Sequence, residues 1–151
     1  MKQPLFLQAL YTRYYLSNPL NKSYISAVSI GEVRSIAFSN RWGQKRTRDL
    51  EELLPSLGVI PVTDDPSLIQ MYAEIDVYSK SQHPSLRLPT SARRMGKNDL
   101  WIAATTAIYN ATLLSTHNDF THLDGLFIAF EKIGTPSVKW DFFRVNATNL
   151  L

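Results

Sequence analysis

The chain contains no cysteine, which excludes disulfide frameworks, thiolate metal sites and cysteine nucleophiles together. Acid is missing from the whole front of the sequence: Lys2, Arg13 and Lys22 are the only charged side chains before Glu32. There is no glycine-rich phosphate loop, and His83, His117 and His122 neither form an HExxH pattern nor have cysteine companions, so a zinc site is not expected. No long apolar run is present. "PLFLQAL" has one flanking lysine, lacks a small-residue cleavage site and is soon followed by Arg13, so it resembles neither a signal peptide nor a spanning helix. A soluble, cytoplasmic protein with no membrane partner is expected. Repeats, low-complexity tracts and Pro/Gly/Ser linkers are also absent, which predicts a single domain over residues 1–151, with 132–151 as a C-terminal extension.

What is present suffices for a core: 151 residues, 44% hydrophobic and 11% aromatic. The net charge of +3 is less informative than its distribution. "RWGQKRTR" (41–48) and "RLPTSARRMGK" (87–97) are locally basic, which suits either a solvated surface or contact with phosphate.

Hydrophobic periodicity predicts alternating strands and helices. Tyr24–Ser26 reads as a short strand feeding a helix with Ser26 as its N-cap. Lys45–Leu57 has leucines at helical spacing and stops at Gly58, a C-cap signal. "VIPV" follows as a strand. Asp65 before Pro66 marks another helix start, with Leu68, Ile69, Tyr72, Ile75 and Tyr78 or Ser79 along one side. Residues 80–97 read as a loop. Leu100, Ala103, Ala104, Ala107, Ile108 and Ala111 then form one apolar helical face rich in small residues. Thr112–Thr116 and "LFIAFEKIG" supply the last strands. Such alternation argues an α/β domain with a parallel sheet covered by helices, where ligands gather beyond the carboxyl ends of the strands.

Three acids converge on that edge. Asp99 lies in the first turn of its helix, and Asp119 lies just after the following strand; a right-handed crossover returns both to one rim. Glu32 sits in a helix that also follows a strand, between Val28 and Ile36 on an apolar arc. Each has an ordinary alternative: Asp99 as a first-turn acid favoured by the helix dipole, Asp119 as a turn residue, Glu32 as a partner of nearby backbone or arginine. Together they would repel one another unless a cation neutralised them. Mg²⁺ or Mn²⁺, which take oxygen ligands and can activate water against phosphate, fit the role.

"NDLWIAATTAIYNATLLSTHNDFTHLDGL", "YISAVSIGEVRSIAF" and "SARRMGKNDLWIA" resemble segments of PIN domains, in particular the VapC toxins of toxin–antitoxin pairs. The resemblance covers most of residues 24–131. It implies a three-layer fold with a central parallel sheet flanked by helices, and a Mg²⁺-dependent endoribonuclease held in check by a VapB-like antitoxin and commonly a homodimer. On that basis Glu32, Asp99 and Asp119 are metal-site and catalytic acids, and Thr116, His117 and Asn118 support them. Arg93, Arg94 and Lys97 grip the RNA backbone. His117 stands where many relatives carry Asp or Asn. The family pattern also opens with a central strand bearing an aspartate, and here the nearest analogue is Gln8 in "LFLQALY", an amide without charge. The N-terminal strand of the fold is therefore missing or atypical, by a trimmed beginning or by divergence. The alternative is a silent PIN-like module that binds an antitoxin or RNA without cutting it.

Trp42 and Trp101 are expected to pack rather than stack on bases. The tail "WDFFRVNATNLL" (140–151) either folds back on the core or meets a partner.

Overall fold

The structure, a computed structural model, describes residues 21–133 and 141–146. Gln8 and the expected front strand lie outside the described residues, as do Trp140 and residues 147–151.

Strand β1 (Asn21–Ser26) runs directly into helix α1 (Ala27–Ser39). The switch is made by Ser26, whose extended backbone and hydroxyl accepting the Val28 N–H at 3.1 Å satisfy a helix-start donor that has no partner within the helix. Helix α2 spans Gln44–Leu53 and tightens into a 3₁₀ turn, Leu54–Ser56. Pro55, inside that turn, has no N–H to continue the ladder. The helix thus ends before Gly58, and the expected C-cap role of this glycine is corrected: it opens strand β2 (Gly58–Ile60). Its partner across the sheet is Tyr24, and a Cβ at Gly58 would lie 2.6 Å from Tyr24 Cε1. The glycine is there because the tyrosine ring covers it.

Helix α3 (Pro66–Ser79) starts as predicted, with Pro66 in its first turn and Asp65 Oδ1 accepting the Ser67 N–H at 2.8 Å. Leu68, Ile75, Tyr78 and Ser79 are buried, but Ile69 is 48% exposed, so the apolar stripe is narrower than its spacing suggests. Helix α4 (Lys97–Ile108) buries Leu100, Ile102, Ala103 and Ala104 together with Thr105 and Thr106. The threonines tolerate burial because their hydroxyls donate to the carbonyls of Trp101 and Ile102 at 2.7 and 2.8 Å. Trp101 packs on Tyr72 with ring centroids 4.5 Å apart. Strand β3 (Thr112–Ser115), a 3₁₀ turn (Thr121–Leu123), strand β4 (Ala129–Lys132) and strand β5 (Asp141–Asn146) follow.

The strand order is β2-β1-β5-β3-β4. Strands β1 and β2 are parallel, as are β3 and β4, whereas β5 runs antiparallel to both β1 and β3. The α/β class with parallel strands is as expected; the reversed strand at the centre of the sheet is not. Leu113 and Leu114 are successive and both fully buried, and because neighbouring strand residues point to opposite faces, both faces of the sheet are covered. One face carries the larger core, in which Ile60, Leu68, Ile75, Leu100, Ala103, Leu113, Phe120 and Leu123 meet. Each fully buried aliphatic side chain there contributes about 1.5–3 kcal/mol.

The Gly58–Tyr24 contact yields a stability test. Gly58→Ala should destabilise the protein by about 1–3 kcal/mol, the usual range for overpacking, read by urea unfolding. In a Tyr24→Ala background the same change should cost much less, and equal costs in the two backgrounds would show that the ring is not what requires glycine.

Candidate acidic site at the carboxyl edge of the sheet

Two acids are brought together by the starts of helices. Glu32 is half-buried in the second turn of α1. Its Oε1 accepts a hydrogen bond from Nδ2 of Asn98 at 3.1 Å, and Asn98 is the second residue of α4. The two side chains close one side of an open groove of about 480 Å³, whose floor includes Val28, Gly31 and Ile36. The apolar arc read around Glu32 is thus the wall of this groove. Asn98 was not anticipated; the signal available was its place at a helix start, immediately before an acid.

Asp99 follows Asn98 in the first turn of α4 and is only 8% exposed. A Cβ at the N-cap Gly96 would lie 3.5 Å from Asp99 Oδ2, so the carboxylate turns back over its own helix start. The carboxylate thus lies against the positive end of the α4 dipole. The dipole explanation and the site explanation for Asp99 therefore describe the same position.

Asp119 stands apart. Its side chain is 64% exposed, and its Oδ2 approaches His117 Nδ1 to 2.9 Å. The surrounding turn is held by bonds between hydroxyl side chains and the main chain: the Asn118 carbonyl accepts from the Thr121 hydroxyl at 2.8 Å, and the His117 N–H donates to Ser115 Oγ at 3.4 Å. Thr116 and His117 are half-buried and Asn118 is exposed. Arg93 Nη1 donates to the Asp119 carbonyl at 3.4 Å, while the Arg93 N–H donates to the Ser79 carbonyl at 2.8 Å. Arg93 and Arg94, with Lys80 and Gln82, line a second open cleft of about 220 Å³. Lys97 is exposed at the first residue of α4.

Carboxylate and amide oxygens are the donors a hard divalent cation takes, and Glu32, Asn98 and Asp99 supply them side by side. In number they fall short: among the described residues no three Asp, Glu or His side chains gather where one ion would be held. The described residues thus fit such an ion in kind but do not complete its cage.

Comparison with known proteins gives one family. The PIN domain family model matches residues 8–126 of the chain. No curated protein and no solved structure matches the sequence.

His83 and His122 serve structure. His83 Nδ1 accepts from the N–H groups of Ser85 and Leu86 at 3.2 and 3.0 Å, capping a turn. His122 lies 2.8 Å through Nε2 from the hydroxyl of the fully buried Ser79 and stacks parallel to Tyr78. This pairing was not legible in the sequence, because its partners are 43 positions apart. Burial, and secondarily the Arg93 charge, lowers the His122 pKa from 6.5 to about 4. The folded state therefore holds fewer protons than the unfolded chain between these values. This contribution to stability is complete above pH 6.5 and is lost as pH falls towards about 4. NMR titration should find the His122 ring neutral down to about pH 4, and His122→Gln should flatten the fall in melting temperature between pH 6.5 and 4. A ring that titrates near 6.5 would contradict this.

Proposed function

The chain belongs to the PIN domain family, whose members are in general metal-dependent nucleases, and from that premise we propose that it is a Mg²⁺-dependent endoribonuclease of the VapC-like toxin kind, hydrolysing RNA phosphodiester bonds. The observation that carries this proposal is the junction of α1 and α4, where Asn98 bonds Glu32 and leaves Asp99 beside it. Glu32 and Asp99 would hold the ion, with Asp119 at the mouth. Mg²⁺ or Mn²⁺, when bound, lowers the pKa of a coordinated water towards neutrality.

The chain's own groups do the rest. Asp99, buried at the start of α4, would hold its carboxylate at the base of the site. Asn98 fixes the rotamer of Glu32. Arg93, Arg94 and Lys97 lie on the approach to α4 and offer the phosphates a basic path that positions RNA without reading its sequence. Thr116, His117 and Asn118 shape the turn that carries Asp119. RNA as substrate, a VapB-like antitoxin as inhibitor and a second copy as dimer partner belong to the same proposal. Among the described residues no helix is long and apolar enough to cross a membrane.

A second function is a module that binds RNA or an antitoxin and does not cut, since among the described residues no three acidic or histidine side chains gather.

Cleavage of a labelled RNA pool with Mg²⁺, Mn²⁺ or chelator separates the two. For the nuclease, Asp99→Asn should lower metal-dependent cleavage by at least about 10- to 100-fold and leave the fold intact by circular dichroism. Binding of the pool by a folded protein that does not cut it, undiminished in Asp99→Asn, would select the binding module.

Arg94→Ala should weaken RNA binding by a similar factor for every sequence, and should reduce the dependence of log affinity on log salt by about 0.7. An unchanged salt slope would remove Arg94 from the RNA path.

A further inference from the structure

Helix α1 ends in a conformation that favours glycine, and an arginine occupies it. Beyond Ser39, the last helical residue, the chain turns at Arg41 with φ of 48°. The Trp42 N–H donates to the Ala37 carbonyl at 3.0 Å and the Arg41 N–H to the Phe38 carbonyl at 3.2 Å, the bonds of a helix end closed by a left-handed residue. Glycine adopts such a φ without penalty, whereas a residue with a Cβ does not. Glycine would make both main-chain bonds equally well, so they do not explain the arginine.

Beside Arg41 most of the Phe38 ring stands in water: the side chain is 84% exposed, more than any other large apolar residue described. With Ala37, Trp42 and Leu50, the two line an open cleft of about 230 Å³ between α1 and α2. Two neighbouring arginines are engaged. Arg34 pairs with Glu51 at 2.6 Å, and Arg46 lies 5.7 Å from the centre of the Trp42 ring. Among the described residues Arg41 has no ion pair. Residues 41–48 carry four cationic side chains and no acid. A solvent-facing ring among cations is complementary to a nucleic-acid strand, which offers it a base to stack and phosphates to pair.

The cleft lies on the helix that carries Glu32. Ala27, Gly31, Ser35 and Phe38 fall at i, i+4, i+8 and i+11, on one face of α1, and all four are exposed. The first three line the groove that Glu32 and Asn98 close. From Glu32 to Phe38 the rise along the axis is about 9 Å. At Gly31, inside the helix, alanine would be more favourable, and a Cβ there would meet nothing within 4 Å. Packing therefore does not require this glycine, which leaves the face between the acids and the ring bare.

We infer that Phe38 and Arg41 form a nucleotide-binding subsite, in which the ring stacks on one unpaired base of an RNA strand and the guanidinium holds an adjoining phosphate. The strand then lies along α1 towards Glu32 and Asp99. The inference rests on RNA being the substrate and adds where the strand is gripped away from the acids.

The test is binding of a labelled oligoadenylate by the full chain in chelator, for the unsubstituted protein, Phe38→Leu, Phe38→Tyr, Arg41→Gly and the α2 surface control Glu52→Gln. Phe38→Leu, which keeps the apolar bulk and loses the ring, should weaken binding about fivefold or more. Phe38→Tyr and Glu52→Gln should bind as the unsubstituted protein does. On an abasic strand Phe38→Leu should make no difference. Arg41→Gly should weaken binding and lower the dependence of log affinity on log salt by about 0.7, yet raise the melting temperature, because its φ suits glycine. If Phe38→Leu and Arg41→Gly bind the strand as the unsubstituted protein does, the subsite is overturned and this face is left to another partner; metal-dependent cleavage of RNA by the same variants would then leave the nuclease proposal standing. Binding that depends on Phe38 and Arg41 in a protein that cuts no RNA with Mg²⁺ or Mn²⁺ would uphold the subsite and overturn the nuclease.

Discussion

Among the described residues the two parallel strand pairs of this domain are joined in one sheet through β5, which pairs with β1 on one side and β3 on the other. The width of that one strand sets the spacing of the site. Adjacent strands lie about 4.8 Å apart, so β1 and β3 are separated by about 10 Å. Helices pack at interaxial distances of about 8–10 Å. The helix that leaves β1 and the helix that precedes β3 can therefore touch at their starts, and α1 and α4 do so, with Asn98 reaching Glu32. With the central strand removed, the two halves would have no reason to hold Glu32 and Asp99 at hydrogen-bonding range of one another's neighbourhoods. The chemistry at the edge is thus a consequence of the pairing at the centre.

Charge is arranged around that edge in two zones. Acids lie at the α1–α4 junction, where Asn98 bonds Glu32 and Asp99 stands at the start of its own helix. The arginines sit one loop away, and Arg93 joins that loop to the end of α3 through Ser79 and to the turn at Asp119. His122, behind Arg93, is kept neutral by burial, so no second positive charge accumulates beneath the loop.

Local chemistry was legible in the sequence and long-range pairing was not. Ser26, Asp65 and Pro66 announced their helix starts because a cap is decided by atoms within two or three residues. The alternation of strands and helices followed from periodicity for the same reason. Gly58 was misassigned because its need for a missing side chain comes from Tyr24, 34 positions earlier, across a strand pair. The tail around "DFFRVN" carries the apolar and aromatic content of a strand, but nothing within it specifies that it inserts between β1 and β3, partners at Tyr24 and Leu113. The closeness of Glu32 to the start of α4 follows from helices that begin at one edge, whereas its bond to Asn98, 66 positions on, does not show in the spacing. The turn of the Asp119 side chain towards His117 depends on a backbone geometry that spacing does not carry.

The difference between a nuclease and a silent module on this scaffold comes down to the number of carboxylates on one edge. Glu32 and Asp99 balance the charge of one divalent ion, but a hard cation gains affinity steeply with each charged oxygen it receives, because every carboxylate replaces a water that the ion gives up reluctantly. A third carboxylate is repelled by the first two when no ion is present, so it persists only where the fold holds its backbone regardless of that repulsion. A residue on an exposed turn, as Asp119 is, can swing away to a histidine instead. A helix start and an exposed turn therefore hold their carboxylates with unequal firmness, as the buried Asp99 and the exposed Asp119 do.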